Sequence, residues 1–346
     1  LFKSFSRIKY IFGSMIVVNN KVIISGSAGF IGFHLAKKLM NMGLEVIGID
    51  SLNDAYDVRL KNLRLNELSA NKNYEFHELN LSKPTSISQL QTLNTQAQTF
   101  YHMAARAGVR QSFLEPYSYV LDNTVATTNV ANFCKVTGVP SLILASTSSI
   151  YGDSGEDLMR ENKDERIQPP SVYASTKLSG EILAKTILDE SDTKVLIPRF
   201  FTVYGPYGRP DMSILRFIHW IVNKKEVQVF GNGEQRRSFT YVDDVVSALV
   251  KVMNHNSSDT FNIGSNNTVS LNRVIEIIED ITDMKSIVIN KERAIKDPDV
   301  VKPDLSHIKQ TLDWEPTTLI DQGIQKTVEW YLENVGLLKS LNYINK

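Results

Sequence analysis

From Lys21 onward, short β-branched apolar runs alternate with longer stretches in which apolar residues recur every three or four positions. VIIS, IGFHLAKKLMNM and EVIGID read in turn as strand, helix and strand, a βαβ unit by their periods of two and 3.6 residues. Within that helix Ile31, Leu35 and Leu39 share one face, and Gly43 stands at the stop. YEFHEL, TFYHMA, SLILAST and KVLIPRF continue the strands, with VLDNTVATTNVANFCKVTG among the intervening helices. Such alternation predicts an α/β fold, a doubly wound parallel sheet covered on both faces.

The texture changes after Arg199. TVYGPYGRPDM is dense in glycine, proline and tyrosine, and strict alternation ends; YVDDVVSALVKVMNH then reads as a helix returning to the main sheet. Three regions are expected: a poorly ordered leader at 1–20, upstream of the natural start; a dinucleotide-binding domain at 21–200 with a return segment at about 239–261; and a smaller mixed α/β substrate-binding portion from 201–238 and 262–346.

Charge narrows the partners. Lysine plus arginine balance aspartate plus glutamate at 38 each, so nothing draws the chain to nucleic acid or to an anionic membrane. The leader is basic and apolar but holds no uncharged run of the roughly 18 residues that spanning requires. Cys134 is the only cysteine, which excludes an intrachain disulfide and fits a cytoplasmic setting. The expected ligand is a small molecule, and no metal site is expected.

GSAGFIG supplies Gly26, Gly29 and Gly32, with Phe30 and Ile31 between them, where the first strand turns into the first helix. A tight turn there lets backbone amides and the helix dipole face a pyrophosphate. Asp50 ends the second strand 18 residues beyond Gly32. A carboxylate at that place accepts from ribose hydroxyls and repels a ribose phosphate, which favours NAD over NADP. YASTK sets Tyr173 and Lys177 four apart on one helical face. The lysine charge is expected to lower the tyrosine pKa and make it a base.

Glycine turn, ribose acid, the hydroxyl cluster of LILASTSSIYG and the Tyr-Lys pair follow one another in an order that resembles the extended short-chain dehydrogenase/reductase family, nucleotide-sugar epimerase branch. RFFTVYGP, VFGNGEQRRSFTYVDD and DWEP are similar to further landmarks of that branch. The resemblance runs from Lys21 nearly to the end and implies a Rossmann sheet, NAD as cofactor and a UDP-sugar as substrate. It implies that Thr147 hydrogen-bonds the reacting oxygen, that Tyr173 takes its proton, and that Lys177 holds the nicotinamide ribose. His102, Ala104 and Ala105 would lie beside the cofactor, with Asn80 where an aspartate commonly reads adenine. Arg110 and Thr202 would lie near substrate, Arg237 on the diphosphate and Asp299 on the uridine ribose. Helices around 117–137 and 173–189 would pair two copies into a homodimer.

Ser148 and Ser149 separate the reactions this branch performs. Dehydratases carry an acid pair there, and decarboxylases usually a glutamate at the second position; both are absent. Neutral hydroxyls suit a substrate that brings its own carboxylate, and GPYGRPDM, SLNDAYDVRLK and AGVR resemble segments of the epimerases that act on UDP-glucuronate. Arg209 would meet that carboxylate. The expected function is epimerisation at carbon four of UDP-glucuronate through a 4-keto intermediate. Alternatives are a UDP-glucose/galactose 4-epimerase, a UDP-glucuronate decarboxylase and a non-catalytic NAD-binding scaffold.

Overall fold

The computed structural model describes residues 8–11, 14–17, 20–93, 96–153, 158–161, 169–292 and 298–341. Within the expected leader, Ile8–Ile11 pairs antiparallel with Ser14–Val17; residues 1–7, 12–13 and 18–19 lie outside the described residues.

Seven parallel strands form the main sheet. They are β1 (Lys21–Ser25), β2 (Glu45–Asp50), β3 (Tyr74–Glu78), β4 (Thr99–His102), β5 (Ser141–Leu144), β6 (Lys194–Phe200) and β7 (Asp259–Ile263), in the order β7-β6-β5-β4-β1-β2-β3. The two-residue strand Ser146–Thr147 adds to the end of β6, with Ser146 opposite Arg199 and Thr147 opposite Phe200. The order in which successive strands are laid down reverses between β1 and β4, the switch point at which doubly wound sheets bind ligands beyond their carboxyl ends.

Alternation along β1 feeds two cores. Val22 and Ile24 join one apolar cluster and Ile23 the other, on the opposite sheet face. Helix α1 (Phe30–Asn41) buries Leu35 and Leu39 and ends at Gly43, whose φ of +85° suits glycine alone. Helices α2 (Val58–Ser69), α3 (Ala126–Thr137) and α4 (Val172–Leu188) complete the layers. Cys134 is buried in α3 within the second cluster. Helix α5 (Val242–Met253) packs against α1, and β7 then closes the sheet edge, so the chain does return to the main sheet after its excursion.

The stretch expected to be one helix is two. Val120–Val125 forms a π turn ahead of α3. There Asn123 is turned inward: its amide oxygen accepts from Arg106 N at 2.7 Å, and its amide nitrogen donates to Arg106 O and Thr176 Oγ1, both at 3.0 Å. A wide turn at a ligand-facing loop is a recurring device, and hydrophobic periodicity alone does not reveal it.

A third apolar cluster lies outside the sheet. It joins Ser213–Val222, Leu271–Thr282 and Ile320–Glu333 over short strand pairs, among them Thr202–Tyr204 with Phe239–Tyr241 and Glu226–Phe230 with Ile287–Lys291.

Candidate active site

The carboxyl ends of β1, β2, β4 and β5 open into one cleft. Gly26, Gly29, Phe30, Ile31 and Gly32 line it with Asp50, Asn80, Ala104, Ala105, Tyr173, Lys177 and Arg209. The glycines are dictated by space. A Cβ on Gly32 would stand 2.1 Å from the Gly26 carbonyl oxygen, and one on Gly26, at φ +72°, would stand 2.7 Å from the Ala104 nitrogen. Gly29 is the N-cap of α1 and supplies no side-chain cap, so the first amides of that helix face the cleft as an anion cradle does.

Asp50 is buried where β2 ends. Its Oδ2 accepts from Ala28 N at 3.2 Å and its Oδ1 from Leu52 N at 2.9 Å, which fixes the carboxylate and leaves acceptor capacity toward the cleft. Lys61 Nζ lies 3.6 Å from Oδ1 and donates to Asn53 Oδ1 at 2.8 Å. This buried lysine offsets part of the repulsion expected from Asp50 toward a ribose phosphate. Asn80 lines the cleft, and its amide oxygen accepts from Ser82 N and Ser82 Oγ, at 2.9 and 2.7 Å, which leaves its amide nitrogen as the group to meet a ligand. His102 is not beside the cleft but beneath it, fully buried between Ser25 Oγ at 2.7 Å and Thr127 Oγ1 at 3.2 Å. Burial, with the Lys177 charge, pushes its pKa down to about 3 and keeps the ring neutral.

Tyr173, Lys177 and Glu181 follow one another at single-turn spacing on α4. Burial raises the pKa of Tyr173 against the neighbouring Thr147 hydroxyl and the charge of Arg209. The lowering expected from Lys177 does not prevail: desolvation of the phenolate outweighs it, and the cation that opposes the rise is Arg209. Lys177 is itself buried, which pulls its pKa down to about 8 against the raising charge of Glu181. Glu181 in turn accepts from Arg199 Nε at 3.0 Å and Nη2 at 2.7 Å, and from Ser146 Oγ. This buried fork ties the strand end carrying Thr147 to the helix carrying Tyr173.

A second cavity of about 430 Å³ adjoins the cleft, Ala55 and Ala107 lining both. Arg110, Thr202 and Arg237 line it, as do Arg106, Asp211 and Arg216. The Arg110 guanidinium lies 3.6 Å from the centre of the Phe230 ring, and Arg106 donates to Asp122 at 2.9 Å and Glu115 at 3.3 Å. Arg209 stands at the seam. Its Nε and Nη2 grip Asp211 at 2.9 and 2.6 Å, and Nη2 also donates to Ala107 O at 3.2 Å.

Besides His102, four expected residues, Thr147, Ser148, Ser149 and Asp299, stand back from the cavities. Ser148 and Ser149 begin a 3₁₀ turn, where Ser149 N donates to Thr147 Oγ1 at 3.1 Å. Asp299 meets this region through its main chain, its carbonyl accepting from Arg236 N at 2.8 Å and Arg237 Nη1 at 3.4 Å. Sequence reasoning missed Lys61, Asn53, Tyr56, Asp211 and Glu181. The first three lie in SLNDAYDVRLK and Asp211 in GPYGRPDM, stretches already singled out; Glu181 gave no signal beyond i+4 spacing from Lys177.

Comparison with known proteins sharpens this geometry. Residues 22–264 match the NAD dependent epimerase/dehydratase family. A UDP-glucuronate 4-epimerase of Thermodesulfobacterium geofontis is 40% identical over 327 residues, covering 92% of this chain and 98% of that protein. A crystal structure of UDP-glucuronic acid 4-epimerase from Bacillus cereus, in complex with UDP-glucuronic acid and NAD, superposes with a TM-score of 0.84 at 30% identity, covering 90% of this chain and 99% of the other. A UDP-glucose 4-epimerase from Thermotoga maritima with UDP-glucose gives a TM-score of 0.83 at 28% identity, covering 91% and 99%. With seven parallel strands, a glycine cradle and a Tyr-Lys pair at their carboxyl ends, the chain belongs to the NAD dependent epimerase/dehydratase family.

Proposed function

We propose that the protein is an NAD-dependent epimerase acting at carbon four of a UDP-sugar, converting UDP-glucuronate to UDP-galacturonate. One observation carries this reading: Tyr173, beside Thr147, lines the glycine-floored cleft together with Arg209, its ring against Tyr119 of the arginine-rich cavity. The 40% identity to a UDP-glucuronate 4-epimerase supports the choice of sugar. NAD fits the first cleft, whose glycine turn no side chain can occupy and whose far end carries Asp50.

Bound there, NAD supplies a reversible hydride acceptor. Tyr173 takes the proton of the carbon-four hydroxyl and returns it to the inverted alcohol, and Thr147 donates to the same sugar oxygen. Lys177 donates to the nicotinamide ribose. Arg237 and Arg110 line the cavity suited to a diphosphate and nucleoside, with Thr202 on the same wall. Asp299, just ahead of the strand that pairs with Arg236 and Arg237, accepts from the uridine ribose. Arg209 meets the substrate carboxylate while Ser148 and Ser149 keep the turn beyond Thr147 free of negative charge. The carboxylate must share Arg209 with Asp211.

Incubating purified protein with UDP-glucuronate and with UDP-glucose, and resolving products by chromatography, tests the reading. UDP-galacturonate is expected from the first; conversion of UDP-glucose alone overturns it. The Arg209–Asp211 pair also favours a second reading, a UDP-glucose/galactose 4-epimerase, because an arginine already neutralised tolerates an uncharged sugar.

A homodimer accompanies this reading. Leu114 and Tyr117 are 76% and 73% exposed ahead of α3, Val136 is 67% exposed on α3 and Ile182 56% on α4, an apolar face that a second copy would cover. No described helix is long and apolar enough to cross a membrane; a cytoplasmic setting and a supply of activated uronate for polysaccharide synthesis complete the proposal.

A further inference from the structure

Arg64, in α2, is fully buried and faces no carboxylate at ion-pair distance among the described residues. Its five N–H donors are all used. Nε and Nη2 donate to Tyr207 O at 3.2 and 2.7 Å, and Nη2 also to Gly208 O at 3.3 Å. Nη1 donates to Ala28 O at 2.9 Å, inside the glycine turn, and to Tyr56 Oη at 2.6 Å. The neighbouring Pro206 carbonyl accepts from His34 Nε2 of α1 at 2.9 Å. Three consecutive carbonyls, 206 to 208, are thus fastened to the two helices that frame the dinucleotide cleft, and the next residue is Arg209.

The loop does not hold this shape unaided. Tyr207 has φ +57°, in the left-handed region, a conformation that a bulky residue keeps only where its surroundings impose it. Its ring is wedged 4.6 Å from Phe33 and 4.9 Å from Trp330, and its hydroxyl donates to Glu67 on α2 at 2.7 Å. A buried guanidinium without a carboxylate is expensive, yet here the planar fork lets one side chain span the glycine turn and the loop together.

We infer that Arg64 is a positioning residue that sets Arg209 against the dinucleotide turn, so that recognition of the sugar's carboxylate is fixed from beneath the cofactor site. This rests on the reading of Arg209 given above. Arg64 touches neither ligand; it acts through the loop, which makes its effect selective for the charged sugar and dependent on Arg209 being present.

A double-mutant cycle on the NAD-loaded protein tests it, with dissociation constants for UDP-glucuronate and UDP-glucose from calorimetry. Arg209→Ala is expected to weaken UDP-glucuronate by roughly 10–150-fold and UDP-glucose by about threefold or less. Arg64→Met should show the same selectivity at about 10-fold or more, and the double variant should be no weaker than about threefold below Arg209→Ala alone. Arg64→Lys, which keeps the charge but not the fork, should recover part of the loss. Should Arg64→Met not fold, His34→Leu gives the second arm, with a smaller loss that again vanishes in the Arg209→Ala background. Multiplying losses, or equal losses on both sugars from the Arg64 or His34 variant, would overturn the inference while leaving the reading intact. An unselective Arg209→Ala would overturn the reading itself.

Discussion

The two adjoining cavities are built on opposite principles. The dinucleotide cleft is made of things that are missing: side chains at Gly26 and Gly32, where a methyl group would meet backbone at 2.7 and 2.1 Å, and a side-chain cap at the start of α1. The substrate cavity is made of things in excess, arginines whose behaviour depends on what each is held by. Arg106 is paired to Asp122, Arg209 to Asp211, and Arg110 is stacked on Phe230. An absence leaves its mark in the sequence because only one residue type satisfies it. A pairing leaves little, because any surface arginine looks the same until its partner is known.

The largest effect should come from the seam between the two. Tyr173→Phe is expected to lower kcat by roughly 10²–10⁴-fold, the usual range for loss of a general base, with UDP binding unchanged by calorimetry. Retention of a tenth of the activity would move the base elsewhere and dissolve the seam as the reacting centre. Next, Arg209→Ala should lower kcat/KM for UDP-glucuronate by about 10–150-fold and release more decarboxylated pentose, since a charge-assisted contact is worth about 1.5–3 kcal/mol. Equal loss on UDP-glucose would assign Arg209 to the diphosphate or to the fold.

On the cofactor side the expected changes are smaller. Asp50→Asn removes the anion facing the ribose and frees Lys61, so the NADP-to-NAD ratio released on denaturation should rise by about tenfold, as loss of roughly 1.4 kcal/mol of discrimination implies. An unchanged ratio would mean that the Lys61–Asn53 side sets the preference. Least affected in turnover is the exposed helical face. Leu114→Glu with Ile182→Glu should shift light-scattering mass from dimer to monomer at micromolar concentration with turnover within about twofold, both positions being exposed. A wild-type monomer would remove the dimer.

Legibility follows the same division. The parallel strands, the glycine turn and the Tyr173–Lys177 pair were readable because each obeys a short local rule: period two, a forbidden Cβ, single-turn spacing. Ala104 and Ala105, implied by the family resemblance, line the cleft. His102 was misplaced because its direction off β4, into the sheet rather than the cleft, depends on Ser25 and Thr127, which are far away in sequence. The expected effect of Lys177 on Tyr173 failed for a related reason: spacing gives proximity, but the penalty of burying a phenolate is a property of the whole site. Arg209 was legible as a residue and illegible as a pair, and Arg64, whose acceptors other than Tyr56 lie 36 to 144 positions away, gave no sign in the chain.

The lone thiol has a use that its burial creates. Cys134 sits fully enclosed in α3, its pKa driven far upward by desolvation, and only the thiolate attacks a labelling reagent. Labelling therefore has to wait until α3 lifts from the sheet. With one cysteine in the chain, the labelling rate of the unmodified protein becomes a clock for that single opening, and its slowing by added cofactor would convert ligand binding at the far end of the strands into a measured opening free energy.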